Sequence, residues 1–193
     1  MTTAAEWLER IRALPLPPRI KVMNVCGGHE RSITTAGLRK AIPSNIELVP
    51  GPGCPVCICP EEDIYEAIQL ALHEGVILVA YGDMLRVPVN APKSEPRSLE
   101  QAKAAGADVR PIASPRIARE NPSRKVVFLA AGLDSTTAPA AALLAQGAPA
   151  NLLFLMSGRR TWPAVEMLLG SGEPGFEALI APGHVATVMG PEE

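Results

Sequence analysis

Glu61-Glu62-Asp63-Ile64-Tyr65-Glu66-Ala67-Ile68-Gln69-Leu70-Ala71-Leu72-His73-Glu74-Gly75-Val76-Ile77-Leu78-Val79-Ala80 decides how this chain folds. Ile64, Ala67, Ile68, Ala71 and Leu72 recur at helical spacing. Three acids open the segment, where a helix dipole favours them, and Gly75 supplies the stop. The residues that follow, 76–80, are apolar without alternation. That is the pattern of a strand covered on both faces, as in a parallel sheet flanked by helices.

The same alternation extends outward. Towards the N-terminus, an amphipathic helix at 4–14 and the breaker Pro15-Leu16-Pro17-Pro18 precede an apolar, β-branched run at 20–25. That run ends in Cys26-Gly27-Gly28-His29, read as a tight turn, with a helix over 31–41 and a short strand at 46–49. Towards the C-terminus, Ser98-Leu99-Glu100-Gln101 has the pattern of a capping box for a helix to Gly106. A strand at 109–113 and a short helix at 115–120, stopped by Pro122, come next. Strands at 126–130, 152–156 and 178–181 then alternate with helices at 135–146 and 161–169. Alternating strands and helices predict an α/β class with parallel sheets. The expected architecture is two small Rossmann-like sandwiches: residues 1–121 with the cysteine loops, and residues 122–193 as a second unit whose completeness the sequence leaves open. Loops at the carboxyl ends of parallel strands share one rim, where ligands bind. The residues on those loops are Cys26, His29, Cys54, Cys57, Asp83, Asp134, Ser135, Arg159 and His184.

At 193 residues with 47% apolar content, the chain can bury a core. Its 18 basic and 20 acidic residues form no like-charge block, so neither nucleic acid nor an anionic membrane is an expected partner. The least charged stretch, 131–156, is interrupted by Asp134, Pro139, Gly147 and Pro149, which argues against a membrane span. The first twenty residues lack the apolar centre of a signal peptide, and four cysteines clustered between Cys26 and Cys59 do not resemble a secreted disulfide framework. The expected location is the cytoplasm.

Gly51-Pro52-Gly53-Cys54-Pro55-Val56-Cys57-Ile58-Cys59-Pro60 places three thiols in six residues, just before the helix that Glu61 opens. A helix N-terminus favours thiolate, and so nucleophilicity and metal ligation. Cys26-x-x-His29 and Cys54-x-x-Cys57 together match a zinc set, a redox dithiol or an iron site, and spacing alone does not separate these. Cys59 is expected to be a small residue facing away from Cys57. His29, in a helix first turn, is disfavoured as a cation and so available as base or ligand. His73 suits the last turn of its helix, and His184, at a strand end, is a candidate for the site. Asp134 is expected as an N-cap, Asp83 in a turn, and Arg159 with Arg160 as a solvated pair. No phosphate loop of the GxxxxGK[ST] type and no GxSxG elbow occurs.

Five motifs, in order, resemble the HypD family of hydrogenase maturation factors: Cys26-Gly27-Gly28-His29-Glu30; Gly51-Pro52-Gly53-Cys54-Pro55-Val56-Cys57; Tyr81-Gly82-Asp83-Met84-Leu85-Arg86-Val87-Pro88; Thr136-Thr137-Ala138-Pro139; and Pro182-Gly183-His184-Val185. The resemblance implies a scaffold on which the Fe(CN)2CO centre of nickel-iron hydrogenase is assembled, with a HypC-like chaperone and a HypE-like cyanide donor. It implies that Cys26 anchors the iron and that Cys54 and Cys57 act as a redox or ligand pair nearby. Family members continue into a segment whose cysteines hold an iron-sulfur cluster. No cysteine follows Cys59 here, so no such cluster is expected in this chain. Arg31 stands where the family has a second histidine, and Leu133-Asp134-Ser135 replaces a Phe-Glu-Thr type of run. From residue chemistry, the rivals are a structural zinc module for protein contacts and a thiol-disulfide oxidoreductase using Cys54 and Cys57.

Overall fold

The computed structural model describes residues 3–111, 116–190 and 192, with the backbone alone for Pro55. In chain order its elements begin with α1 (Ala4–Arg12), β1 (Ile20–Asn24), α2 (Gly27–Thr35), α3 (Leu38–Ala41) and β2 (Ile46–Pro50). Then follow α4 (Pro55–Ile58), α5 (Glu61–His73), β3 (Ile77–Ala80), a 3-10 turn (Gly82–Arg86), α6 (Leu99–Ala104), β4 (Val109–Pro111) and α7 (Arg116–Glu120). The remainder is β5 (Val126–Gly132), α8 (Asp134–Ala145), β6 (Leu152–Gly158), α9 (Thr161–Leu169), β7 (Ala178–Ile180) and α10 (Gly183–Met189). The last two residues of the strand expected at 109–113 and the first of the helix expected at 115–120 fall outside the described residues.

All described strand pairs are parallel, in two sheets of order β2-β1-β7 and β4-β3-β5-β6. The α/β reading therefore holds, with two sheets flanked by helices. The compact units do not divide at 121/122, however: one comprises Met1–Cys54 with Thr161–Glu193, the other Pro55–Arg160. The expected boundary falls inside the second unit's sheet, because β3 pairs with β5 from Ile77↔Val126 to Ala80↔Leu129. Periodicity is a local property, whereas parallel partners are separated by a crossover, so the sequence pattern names strands without naming their neighbours.

In the second unit every residue of β3 and β5 is buried. The alternation of side chains sorts them into two cores. Leu78, Ala80, Val127, Leu129 and Ala131 pack with Ile64, Ala67, Ile68 and Ala71 of α5, while Ile77, Val79, Val126, Phe128 and Ala130 pack on the opposite side with Ala140 of α8. Phe128 sits edge-on to Tyr81 at 5.5 Å and tilted against Phe154 at 5.9 Å between centroids.

In the first unit, α1 opens on a full capping box. Thr3 Oγ1 accepts from the Glu6 amide at 3.3 Å, and Glu6 Oε2 accepts from the Thr3 amide at 2.5 Å. The helix expected over 31–41 differs in two ways. It starts at Gly27, immediately after the strand, and it breaks at Gly37, whose φ of +62° suits glycine and separates α2 from α3. Arg39 then ties both helices to the neighbouring strand. Its guanidinium grips Glu30, with Nη1 2.8 Å from Oε1, and its Nε donates to the Leu48 carbonyl at 3.2 Å.

Candidate functional site

In the first unit's sheet, β2 lies on one side of β1 and β7 on the other. The connections leaving β1 and β7 therefore diverge, and the crevice beyond their carboxyl ends is the topological switch point where α/β sheets bind ligands. Cys26 follows β1, and His184 follows β7 by way of Pro182 and Gly183. The end of β2 contributes the third loop, Gly51-Pro52-Gly53-Cys54, fastened where the Gly51 amide donates to the Asn24 carbonyl at 2.8 Å.

The local geometry brings these loops into contact. Cys26 is the N-cap of α2, in extended backbone with φ −143° and ψ 120°, and its side chain makes no capping hydrogen bond. Its sulfur is therefore left for other work. Atoms near the glycines locate the rest. A methyl group placed on Gly28 would lie 3.6 Å from Cys26 Sγ and 3.9 Å from His184 Cε1. One on Gly183 would lie 3.8 Å from His29 Nε2. One on Gly53 would meet the Val25 carbonyl carbon and oxygen at 2.7 Å and the Cys26 amide nitrogen at 3.0 Å, so only glycine lets the loop before Cys54 close on the strand end.

Cys26 is buried and Cys54 half-buried, and neither is in a disulfide. Beneath them Asn24, 2% exposed, donates through Nδ2 to the Cys26 carbonyl at 3.0 Å, while its Oδ1 is buried without a hydrogen-bond partner. His29 Nδ1 is likewise buried and unpartnered. Buried polar atoms are seldom left so, which makes these two the positions where a further group has most to offer. Glu30, one residue on, is held below the usual carboxylate range by its hydrogen bonds from Arg39. Among the described residues no group of three or more His, Cys, Asp and Glu side chains is placed to hold a metal ion.

Cys57 and Cys59 belong to the second unit. The stretch expected to be pure loop contains one helical turn, α4, which carries Cys57 at the surface. Cys59 is the small residue turned away from exposed Cys57 that was expected, and it also makes a polar contact that the sequence did not mark. It is 8% exposed, with Sγ 3.0 Å from Ser157 Oγ, and Ser157 donates to Asp63 Oδ2 at 2.5 Å. Burial, and secondarily the Asp63 charge, push the Cys59 thiol up. Asp83 lies exposed in the 3-10 turn after β3. Asp134 is not the N-cap of α8 but its first residue. Leu133 holds the cap position, and the Thr136 and Thr137 hydroxyls donate to the Leu133 carbonyl at 2.7 and 3.4 Å. Ser98 does cap α6, accepting from the Gln101 amide at 3.2 Å, but the Gln101 side chain accepts from Arg97 instead of closing a box on Ser98. His184, a site candidate from its strand-end position and from the Pro182-Gly183-His184-Val185 motif though left out of the ligand set, is brought close to Cys26.

No described helix is long and apolar enough to cross a membrane. A family model named HypD, described as the hydrogenase formation hypA family, matches residues 2–193. The hydrogenase maturation factor HypD of Escherichia coli K12 is 41% identical over 179 residues, covering 89% of this chain and 46% of that protein. HypD2 of Bradyrhizobium diazoefficiens is 38% identical, covering 94% of this chain and 50% of its own length, and HypD of Azotobacter vinelandii is 38% identical, covering 97% and 52%. The chain thus spans about half the length of the relatives it matches. With the family match running over residues 2–193, and so through all five motifs, the chain belongs to the HypD family of hydrogenase maturation factors.

Proposed function

We propose that this chain serves nickel-iron hydrogenase maturation as a scaffold, holding an iron that carries cyanide and carbon monoxide as cargo, in company with a HypC-like chaperone and a HypE-like cyanide donor in the cytoplasm. Cys26 anchors the iron, Cys54 approaches from the neighbouring loop, and Cys57 completes a redox or ligand pair. The observation that carries this reading is the switch-point crevice of the first unit, where the uncommitted Cys26 sulfur, His184 and the backbone before Cys54 share one rim.

The chemistry fits an incomplete protein cage. Cyanide and carbon monoxide are strong-field ligands that require low-spin ferrous iron, for which soft thiolates are suitable partners. An iron that brings two cyanides and one carbonyl needs few ligands from the protein, so one or two thiolates suffice. The buried, unpartnered Nδ1 of His29 supports a role for that residue in accepting or giving a proton.

The test is infrared spectroscopy of the chain isolated anaerobically with its maturation partners. Cyanide and carbon monoxide stretches are expected, and they vanish in Cys26→Ala while circular dichroism stays unchanged. Retention of the bands in a folded Cys26→Ala removes Cys26 as anchor. Zinc in place of iron, with unfolding on chelation, makes the chain a structural zinc module instead.

A further inference from the structure

Cys54, Cys57 and Cys59 lie within six residues, and any two of three neighbouring thiols can pair when oxidised. The structure treats Cys57 and Cys59 very differently. Cys57 is exposed on the single turn of α4, whereas Cys59 is 8% exposed and packs into the core formed with Ile64, Ala67 and Leu129.

Cys59 Sγ lies 3.7 Å from the carbonyl of the adjacent Pro60, and its nearer polar partner comes from an element distant in sequence. Ser157, fully buried near the end of β6, has its oxygen 3.0 Å from Cys59 Sγ. Asp63, in the first turn of α5, accepts the Ser157 hydroxyl at 2.5 Å. A hydroxyl has one hydrogen, and an ionised carboxylate can only accept. With that hydrogen committed to Asp63, Ser157 offers Cys59 a lone pair, and at 3.0 Å it is a nearer acceptor for the one S–H than the Pro60 carbonyl at 3.7 Å. The order is Cys59 to Ser157 to Asp63, which ties the residue after α4 to the far edge of the sheet.

We propose that Ser157, backed by Asp63, is a positioning residue that holds Cys59 out of the thiol chemistry and so confines the redox pair to Cys54 and Cys57. The inference rests on the reading of those two cysteines as a pair. Cys59 reaches a partner thiol only if its sulfur leaves both the apolar core and the Ser157 oxygen, that is, through local opening of the segment between α4 and α5. Two jobs follow for one cysteine: it anchors the turn that presents Cys57, and it stays reduced while its neighbours cycle.

The experiment uses the intact chain with glutathione disulfide as oxidant. Two glutathione thiols are released for each protein disulfide formed, so the two electrons and two protons given up by a cysteine pair are accounted for. Remaining thiols are trapped by iodoacetamide and mapped by mass spectrometry. In the native chain Cys59 is expected to alkylate on the order of tenfold or more slowly than Cys57, with Cys54–Cys57 as the disulfide found. In Ser157→Ala the protection of Cys59 falls by a similar factor and disulfides containing Cys59 appear. Cys59→Ser, which keeps a hydroxyl donor to Ser157, leaves the Cys54–Cys57 redox midpoint unchanged. Native Cys59 alkylating as fast as Cys57 overturns the proposal, and needs no variant to be seen. So does a folded Ser157→Ala chain whose Cys59 stays protected and unpaired. If Cys54 and Cys57 form no disulfide while Cys59 remains shielded until Ser157 is changed, the redox reading of the pair fails and the shielding by Ser157 stands.

Discussion

Replacing Gly53 by alanine tests whether the Cys54 loop is seated on the Cys26 strand end as described. The added methyl meets the Val25 carbonyl carbon and oxygen at 2.7 Å, about 0.7 Å inside the 3.4 Å at which ordinary contact begins. Both atoms are main chain, held by the Val25 amide bond to the Ile180 carbonyl, so no side chain can swing aside and the loop must lift. Overpacking of this kind costs about 1–3 kcal/mol. For a chain of this length about 2 kcal/mol lowers Tm by about 4–8 °C. Gly27→Ala is the matched control. Its methyl would touch only the Gly53 carbonyl oxygen, at an ordinary 3.6 Å, and it lies in the first turn of α2, where alanine is neutral or favourable. Differential scanning calorimetry gives Tm, and anaerobic iron reconstitution gives occupancy. On the proposed iron-holding role, Gly53→Ala should lose both stability and iron, and Gly27→Ala neither. Gly53→Ala matching the native chain in Tm and occupancy, or Gly27→Ala proving the worse of the two, would refute the placement of the loop.

Other perturbations probe the frame around the site. Asp108 is bound by Arg110 at 2.7 Å and Arg124 at 2.6 Å, which lowers its pKa from 3.8 to about 2. A depressed carboxylate contributes stability above its unfolded value and loses it as pH falls through the folded one, so Asp108→Asn should cost about 1–2 kcal/mol at pH 7, after allowance for the exposure of the arginines, and the difference should close as pH falls from 3.8 towards 2 in acid-denaturation curves. Pro139 is exposed in the interior of α8, where it removes a backbone donor, so Pro139→Ala should raise stability by about 1 kcal/mol or more in urea unfolding; a loss would mean that the helix depends on the ring. The Tyr81 hydroxyl donates to the Thr136 carbonyl at 3.1 Å across the ends of β3 and α8, and Tyr81→Phe should cost about 0.5–1.5 kcal/mol in the same assay.

The chain's dependence on glycine and proline near the thiols has a physical basis in how the rim is built. Each strand of the first unit is three to five residues long, so the loops leave the sheet almost at once and must turn within one or two residues. Arg39 does a complementary job from the helical side, bonding Glu30 on α2 and the Leu48 carbonyl on β2. These contacts fix the entry of α2, and hence the direction of Cys26 and His29, without any contribution from the thiols themselves.

What the sequence determined by itself was everything with a short period. The apolar faces of α5, β3 and β5, the α/β class, the strand-end positions of Cys26 and His184, and the order of the five motifs all follow from neighbours within a few residues. Tertiary structure alone decided which strands meet. It put β3 beside β5 and so moved the unit boundary away from 121/122, set β1 between β2 and β7, and thereby drew His184 to Cys26 from 158 positions away along the chain. It also gave Cys59 a partner 98 residues distant in Ser157. The reason is the same in each case: periodicity records which face of an element is buried, whereas parallel pairing closes long loops whose ends carry no local mark of one another.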